Sequence, residues 1–127
     1  RAVQWSPDGR SLAGHQVGSA GVEQPGLYIH SLEDGSFKQV AKSVGGHDFV
    51  WLPDGRRMVI RDVSGNIQML DTATGVTKEL VHIGHELIGF GGLSVSADGK
   101  SVYFVRDSAE ADIWLLQLDD PPESLTR

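Results

Sequence analysis

Three times along the chain a short apolar stretch runs into the same polar turn. Trp5-Ser6-Pro7-Asp8-Gly9-Arg10, Trp51-Leu52-Pro53-Asp54-Gly55-Arg56 and Val95-Ser96-Ala97-Asp98-Gly99-Lys100 align without a gap. Their Asp-Gly pairs begin at 8, 54 and 98, spacings of 46 and 44 residues. A second landmark follows each turn: Leu27-Tyr28-Ile29, Ile67-Gln68-Met69 and Ile113-Trp114-Leu115. Each landmark then reaches turn residues, namely Glu33-Asp34-Gly35, Ala73-Thr74-Gly75 and Asp119-Asp120-Pro121. Repetition on this scale means that one supersecondary unit is stacked on copies of itself, because a single unit cannot bury its own apolar faces.

Each unit reads as four short strands. The first precedes the turn, at 3–5, 49–51 and 93–95. Ser-Pro-Asp-Gly suits a type I turn, with Pro pre-setting φ at the second position and Gly accepting φ > 0 at the fourth. Ala97 stands for Pro in the third copy, which a type I turn allows. The second strands are predicted at 11–13, 57–61 and 101–106, where Met58-Val59-Ile60 and Val102-Tyr103-Phe104-Val105 carry the β-branched and aromatic content that strands favour. The landmarks form the third strands. Polar, alternating segments at 37–40, 76–81 and 123–126 form the fourth, as edge strands should. The first unit is longer between its second and third strands, in the glycine-rich stretch 14–26. Glycine overall is 16 of 127 residues, well above the usual ~7%, and no segment sustains helical periodicity with caps. Units of about 40–45 residues with four antiparallel strands are blades of a β-propeller. The expected fold is therefore all-β: three four-stranded blades at about 1–46, 47–90 and 91–127, part of a larger closed ring.

Composition narrows the function classes. Lys and Arg total 11 against 17 Asp and Glu, a net charge of −6, which argues against a nucleic-acid footprint and against anionic lipid. No apolar run reaches the length of a membrane-spanning helix, so no membrane insertion is expected. There are no cysteines, hence no disulfide framework and no thiolate zinc site, and the compartment stays open. The chain begins at Arg1 without a signal-peptide pattern, which reads as a fragment or a processed product.

The W-S-P-D-G-R and L-P-D-G-R signatures, the I-x-L-type strand after them and the closing Glu123-Ser124-Leu125-Thr126 resemble TolB-type, WD40-like propeller repeats over practically the whole chain. The third unit resembles the last blade of propellers joined to bacterial kinase or transcription-regulator modules. Ala97 for Pro, Val95 for Trp and the long first unit depart from that pattern. Complete repeats without a complete catalytic signature point to a non-enzymatic protein- or ligand-binding module, for sensing or scaffolding. A protein or peptide is the expected partner at the rim loops. The resemblance itself says little of function, since one fold serves many functions. It also leaves an enzymatic alternative: the gating propeller of a prolyl-oligopeptidase-type peptidase, or a metal-dependent lyase using channel histidines.

Several catalytic signatures begin in this sequence and stop short. Gly92-Leu93-Ser94-Val95-Ser96 lacks the final Gly of a nucleophile elbow, and no His follows His85 to complete a triad. Gly99-Lys100-Ser101 ends like a P-loop, but Ser94 occupies the place of its first Gly. His85-Glu86-Leu87-Ile88-Gly89 starts like a zinc-protease helix and has Gly at the second His. Asp62-Val63-Ser64-Gly65-Asn66 spaces oxygen ligands as a calcium loop does, yet reads first as a hairpin connection. No catalytic residue and no cofactor are assigned. The rim candidates for ligand contact are His47, Asp48, His85 and Glu86, and His82 with His85 is the one spacing that suits a metal pair. The loops 14–26, 45–48 and 84–92 are the expected contact surfaces. Trp5, Trp51 and Trp114 are read as packing residues. Three blades leave two open faces, one expected to show Trp5 and Leu27 and the other Tyr103 and Trp114. Further blades of a parent chain or a second copy would cover them.

Overall fold

The computed structural model describes residues 3–22, 24, 26–42, 44, 48–82, 92–106 and 112–118. Among them eleven strands form three antiparallel sheets, with no helix. The first sheet runs in the order β1 (Val3–Trp5), β2 (Ser11–Gly14), β3 (Leu27–Ser31), β4 (Phe37–Ala41). The second repeats it with β5 (Phe49–Trp51), β6 (Arg57–Arg61), β7 (Ile67–Asp71) and β8 (Thr77–Val81). The third contains β9 (Leu93–Val95), β10 (Ser101–Arg106) and β11 (Asp112–Gln117). The fourth strand expected at 123–126 lies outside the described residues. Strands fall where the repeat places them, with third strands longer than the landmark triplets because the ladder continues to the following turn.

The repeated turn is held by its own side chains. In the first copy the Gly9 amide donates to the Ser6 carbonyl at 2.9 Å. The Ser6 hydroxyl donates to Asp8 Oδ1 at 2.6 Å and accepts from the Ser11 amide at 3.0 Å, while Asp8 Oδ1 also accepts from the Arg10 amide at 2.9 Å. Ser96, Asp98, Lys100 and Ser101 repeat this network in the third copy, so Ala97 in place of Pro leaves it unchanged. The second copy has Leu52 where the others have Ser. Asp54 Oδ1 then takes both the Arg56 and the Arg57 amides, at 3.0 and 2.9 Å, and Oδ2 accepts from Arg57 Nε at 2.6 Å. Losing a hydroxyl there lets Leu52 bury completely. Gly55 follows with φ of 70°, a conformation closed to most side chains. In every copy the residue after the third strand donates to the turn: Leu32 to the Arg10 carbonyl, Thr72 to that of Arg56, Leu118 to that of Lys100.

These bonds fix the acid response of the fold. Hydrogen bonds from Ser6 and Ser96 hold Asp8 and Asp98 below the ordinary aspartate value of 3.8. Burial pushes Asp54 up, but the Arg57 and Arg56 amides and the Arg57 guanidinium outweigh it. Asp71 is lowered by Arg56, which grips its fully buried carboxylate through Nε–Oδ1 and Nη2–Oδ2 bonds of 3.0 and 2.8 Å. Each carboxylate therefore binds its proton less readily folded than unfolded. The stability they contribute is complete above about pH 4 and is lost as the pH falls through the lower folded values. Urea midpoints are expected to hold level down to about pH 4 and to drop below it; a decline already complete at about pH 5 would contradict this assignment.

Packing places the middle sheet between the other two. Ala13, Leu27 and Val40 of the first sheet meet Phe49, Trp51, Met58, Ile60 and Leu70 on one of its faces. Val59, Ile67 and Met69 on its other face meet Val102, flanked by Leu93, Val95 and Leu116. Trp51 Nε1 donates to the Gln4 carbonyl at 3.3 Å, and Lys38 Nζ reaches the Thr72 and Ala73 carbonyls at 3.2 Å, tying first sheet to second. The outer faces stay open and show Val3, Trp5 and Phe37 at one end, Tyr103, Ile113 and Leu115 at the other. Two expectations need correction. Leu27 does not lie on the open face: register puts it with Ala13 and Ile29 on the side facing the second sheet, where it is fully buried. Trp114 pairs with Phe104 across the ladder, so it shares the face turned to the second sheet and is half-exposed there, opposite to Tyr103.

Among the described glycines, Gly26 makes the tightest approach to backbone. Gly26 has φ of 103°, and a Cβ on it would stand 2.7 Å from the Ala41 carbonyl oxygen where β3 begins beside β4. Gly26→Ala is expected to cost about 2 kcal/mol or more, read as a lowered urea midpoint; an unchanged midpoint would refute the tight crossing.

Candidate functional site

Of the residues predicted from sequence, Asp48 belongs to the end of the sheets where the chain enters β5 and where β6 turns into β7. Asp48 stands just before β5 and Arg61 closes β6. The Arg61 amide donates to the Asp48 carbonyl at 3.0 Å, and Arg61 Nη1 lies 3.1 Å from Asp48 Oδ2, with both side chains buried. The third sheet repeats the backbone bond, Val105 amide to Gly92 carbonyl at 3.1 Å, without the charges. The ion pair is thus added to a joint that the repeat already makes. In the first sheet His15 occupies the place of Arg61. Its Nδ1 lies 2.9 Å from the Gly26 carbonyl, and its ring meets Phe49 edge-on at 5.7 Å.

The turn from β6 to β7 is built around Asp62. Its Oδ1 accepts from the Ser64 and Asn66 amides at 2.8 and 3.0 Å, and its Oδ2 accepts from Gln68 Nε2 at 2.7 Å. The Gly65 amide donates to the Asp62 carbonyl, with φ of 89° at Gly65. This is the hairpin connection expected of the segment, its carboxylate committed to the turn and to Gln68. Beside it a groove of about 550 Å³ opens between the outer strand of the first sheet and the second sheet. Its floor carries Val40 and Ile60, and Lys42, Ser64, Gln68 and Thr77 line its sides. Groove size falls within the range of ligand sites. Chemically it offers an apolar strip beside amide, hydroxyl and ammonium groups. Gln68 is held in place there by Asp62.

Of the sequence-predicted residues, Asp48 is buried against Arg61 and turned to internal use. His82 is exposed, with Nδ1 3.1 Å from Glu79 Oε1. His47, His85 and Glu86 lie outside the described residues, as do loop 84–91 and most of loop 45–48. Among the described residues no group of three His, Cys, Asp or Glu side chains is placed to hold a metal. Sequence reasoning missed Lys42, Gln68 and the role of Arg61. Arg61 did carry a signal: it ends an apolar strand that has a sheet on either side, where a guanidinium requires a carboxylate. Gln68 carried none, because its partner Asp62 read only as a turn residue.

No protein-family model matches the chain, and no curated protein matches it. Solved structures do. TolB from Acinetobacter baumannii superposes with a TM-score of 0.72 at 21% identity, over 92% of this chain and 29% of that one. A putative TolB from Agrobacterium tumefaciens superposes with a TM-score of 0.67 at 26% identity, over 89% of this chain and 40% of that one. The chain thus has the fold of TolB β-propeller blades and spans well under half the length of these neighbours. Among its described residues no helix is long and apolar enough to cross a membrane.

Proposed function

We propose that this TolB-like propeller segment is a non-enzymatic module that binds a protein or peptide at its rim, with its blades divided near residues 46 and 90. The observation that carries the reading is the groove between the first two sheets, where a fixed amide, hydroxyls and an ammonium border an apolar floor. An extended peptide presents the complementary set: backbone amides and carbonyls at regular spacing, with side chains for the apolar strip. The sequence adds support, because every catalytic signature in it is incomplete. The open outer sheet faces serve a different purpose, blade packing.

The test is selection of a random peptide display library on the immobilised 127-residue chain. Enriched peptides are expected to lose about tenfold or more in affinity to Lys42→Glu and to Gln68→Ala, and to bind Lys100→Glu, in the exposed turn of the third sheet, as they bind the parent. Enrichment indifferent to both groove substitutions would place recognition elsewhere. Turnover of a substrate by the chain would overturn the non-enzymatic reading.

A further inference from the structure

The repeat shows which parts of the rim groove the fold does not require. Strand register aligns Gln68 with Tyr28 of the first sheet and Trp114 of the third, so the other two copies place an aromatic ring at this point. At the joint between the second and third sheets, Trp114 stands on the face turned to the second sheet. At the joint between the first and second sheets the same place holds the smaller Gln68, and the groove opens beside it. Asp62 aligns with Gln16 of the first sheet. The bond between Asp62 and Gln68 is therefore an addition of the second sheet and no part of the repeat.

That bond has a direction. A carboxylate has no proton to give, so the group that meets Asp62 Oδ2 at 2.7 Å is Nε2 of Gln68. Asp62 is itself fixed, because its Oδ1 accepts from the Ser64 and Asn66 amides at 2.8 and 3.0 Å. An amide with its nitrogen committed leaves its oxygen as the acceptor it can offer. Among the described residues nothing donates to Gln68 Oε1. The groove thus combines a fixed acceptor with the apolar strip of Val40 and Ile60. We propose that Gln68 is the specificity-determining residue of the groove: it selects an extended peptide that brings a backbone N–H to Oε1 and an apolar side chain to Val40 and Ile60. Asp62 is its positioning residue. The inference rests on the peptide reading of the groove and adds to it which group of the peptide is read. A strand supplies the two together, since its N–H groups lie in the plane of the ladder and its side chains alternate across it. A ligand that meets Oε1 with an acceptor leaves both groups unpaired and is rejected.

The experiment takes the tightest peptides enriched on the 127-residue chain and replaces each backbone amide in turn by an ester, which removes one N–H. One ester position is expected to lose about tenfold in affinity for the parent. On Gln68→Ala the same amide and ester peptides are expected to bind equally, because the acceptor is gone. Asp62→Asn keeps an oxygen for the Ser64 and Asn66 amides and sets an amide nitrogen against Gln68, which turns its own amide over and shows Nε2 to the groove. The amide peptide is then expected to lose about tenfold and its advantage over the ester to vanish. A purely structural Asp62 would lower the urea midpoint and leave the amide-to-ester ratio where it was. If Asp62→Asn loses its sheet signal in circular dichroism, the ratio on Gln68→Ala decides alone. Tolerance of every ester, or a penalty as large on Gln68→Ala as on the parent, overturns the role of Gln68 and leaves the peptide reading standing. Peptides indifferent to both Lys42→Glu and Gln68→Ala, or no enrichment at all, overturn both.

Discussion

Asp48→Ala is expected to destabilise the fold by about 3–5 kcal/mol, the usual cost of taking one member from a buried ion pair. The Arg61 guanidinium is 5% exposed and the Asp48 carboxylate 7%, so water cannot take over the lost role. Arg61 also ends β6, the strand with packed sheets on both sides, and a buried cation there strains both contacts at once. Replacing both charges, Asp48→Leu with Arg61→Met, is expected to recover most of the loss, because the desolvation cost disappears with the pair and the backbone bond between the two positions remains. Urea denaturation of the two variants beside the parent measures this directly. A loss below about 1 kcal/mol for Asp48→Ala would mean that the pair is solvated and works as a surface contact does.

The difference between that pair and the turns shows what a sequence displays. Asp8, Asp54 and Asp98 were legible because their bonds are local: a carboxylate reaches amides two or three residues on, and a period near 45 residues repeats the pattern. Strand positions followed from those turns and from alternation, and three sheets followed from the strands. Asp48 and Arg61 are 13 residues apart in sequence and meet only when β5 and β6 pair, so each alone reads as a rim charge. Faces were legible only where parity was counted strand by strand. Leu27 and Trp114 were misplaced because they were assigned to the outer units as a whole, whereas a strand divides its residues between two faces. The rim groove was not legible. It is a space between sheets, and local patterning carries no record of it.

The two equivalent tryptophans turn this repeat logic into a measurement. Trp51→Ala removes a ring packed between the first and second sheets together with its bond to the Gln4 carbonyl, and is expected to cost about 3–5 kcal/mol. Trp5 has the same place in the repeat, beside Leu12 where Trp51 has Met58, but among the described residues no sheet covers it. Trp5→Ala is therefore expected to cost under about 1 kcal/mol. Urea curves for both variants beside the parent measure what one covering sheet adds to a tryptophan at this place in the repeat. A Trp5→Ala loss as large as that of Trp51→Ala would show that residue 5 is buried as residue 51 is. A Trp51→Ala loss below about 1 kcal/mol would mean that the contact between the first and second sheets does not hold the fold together.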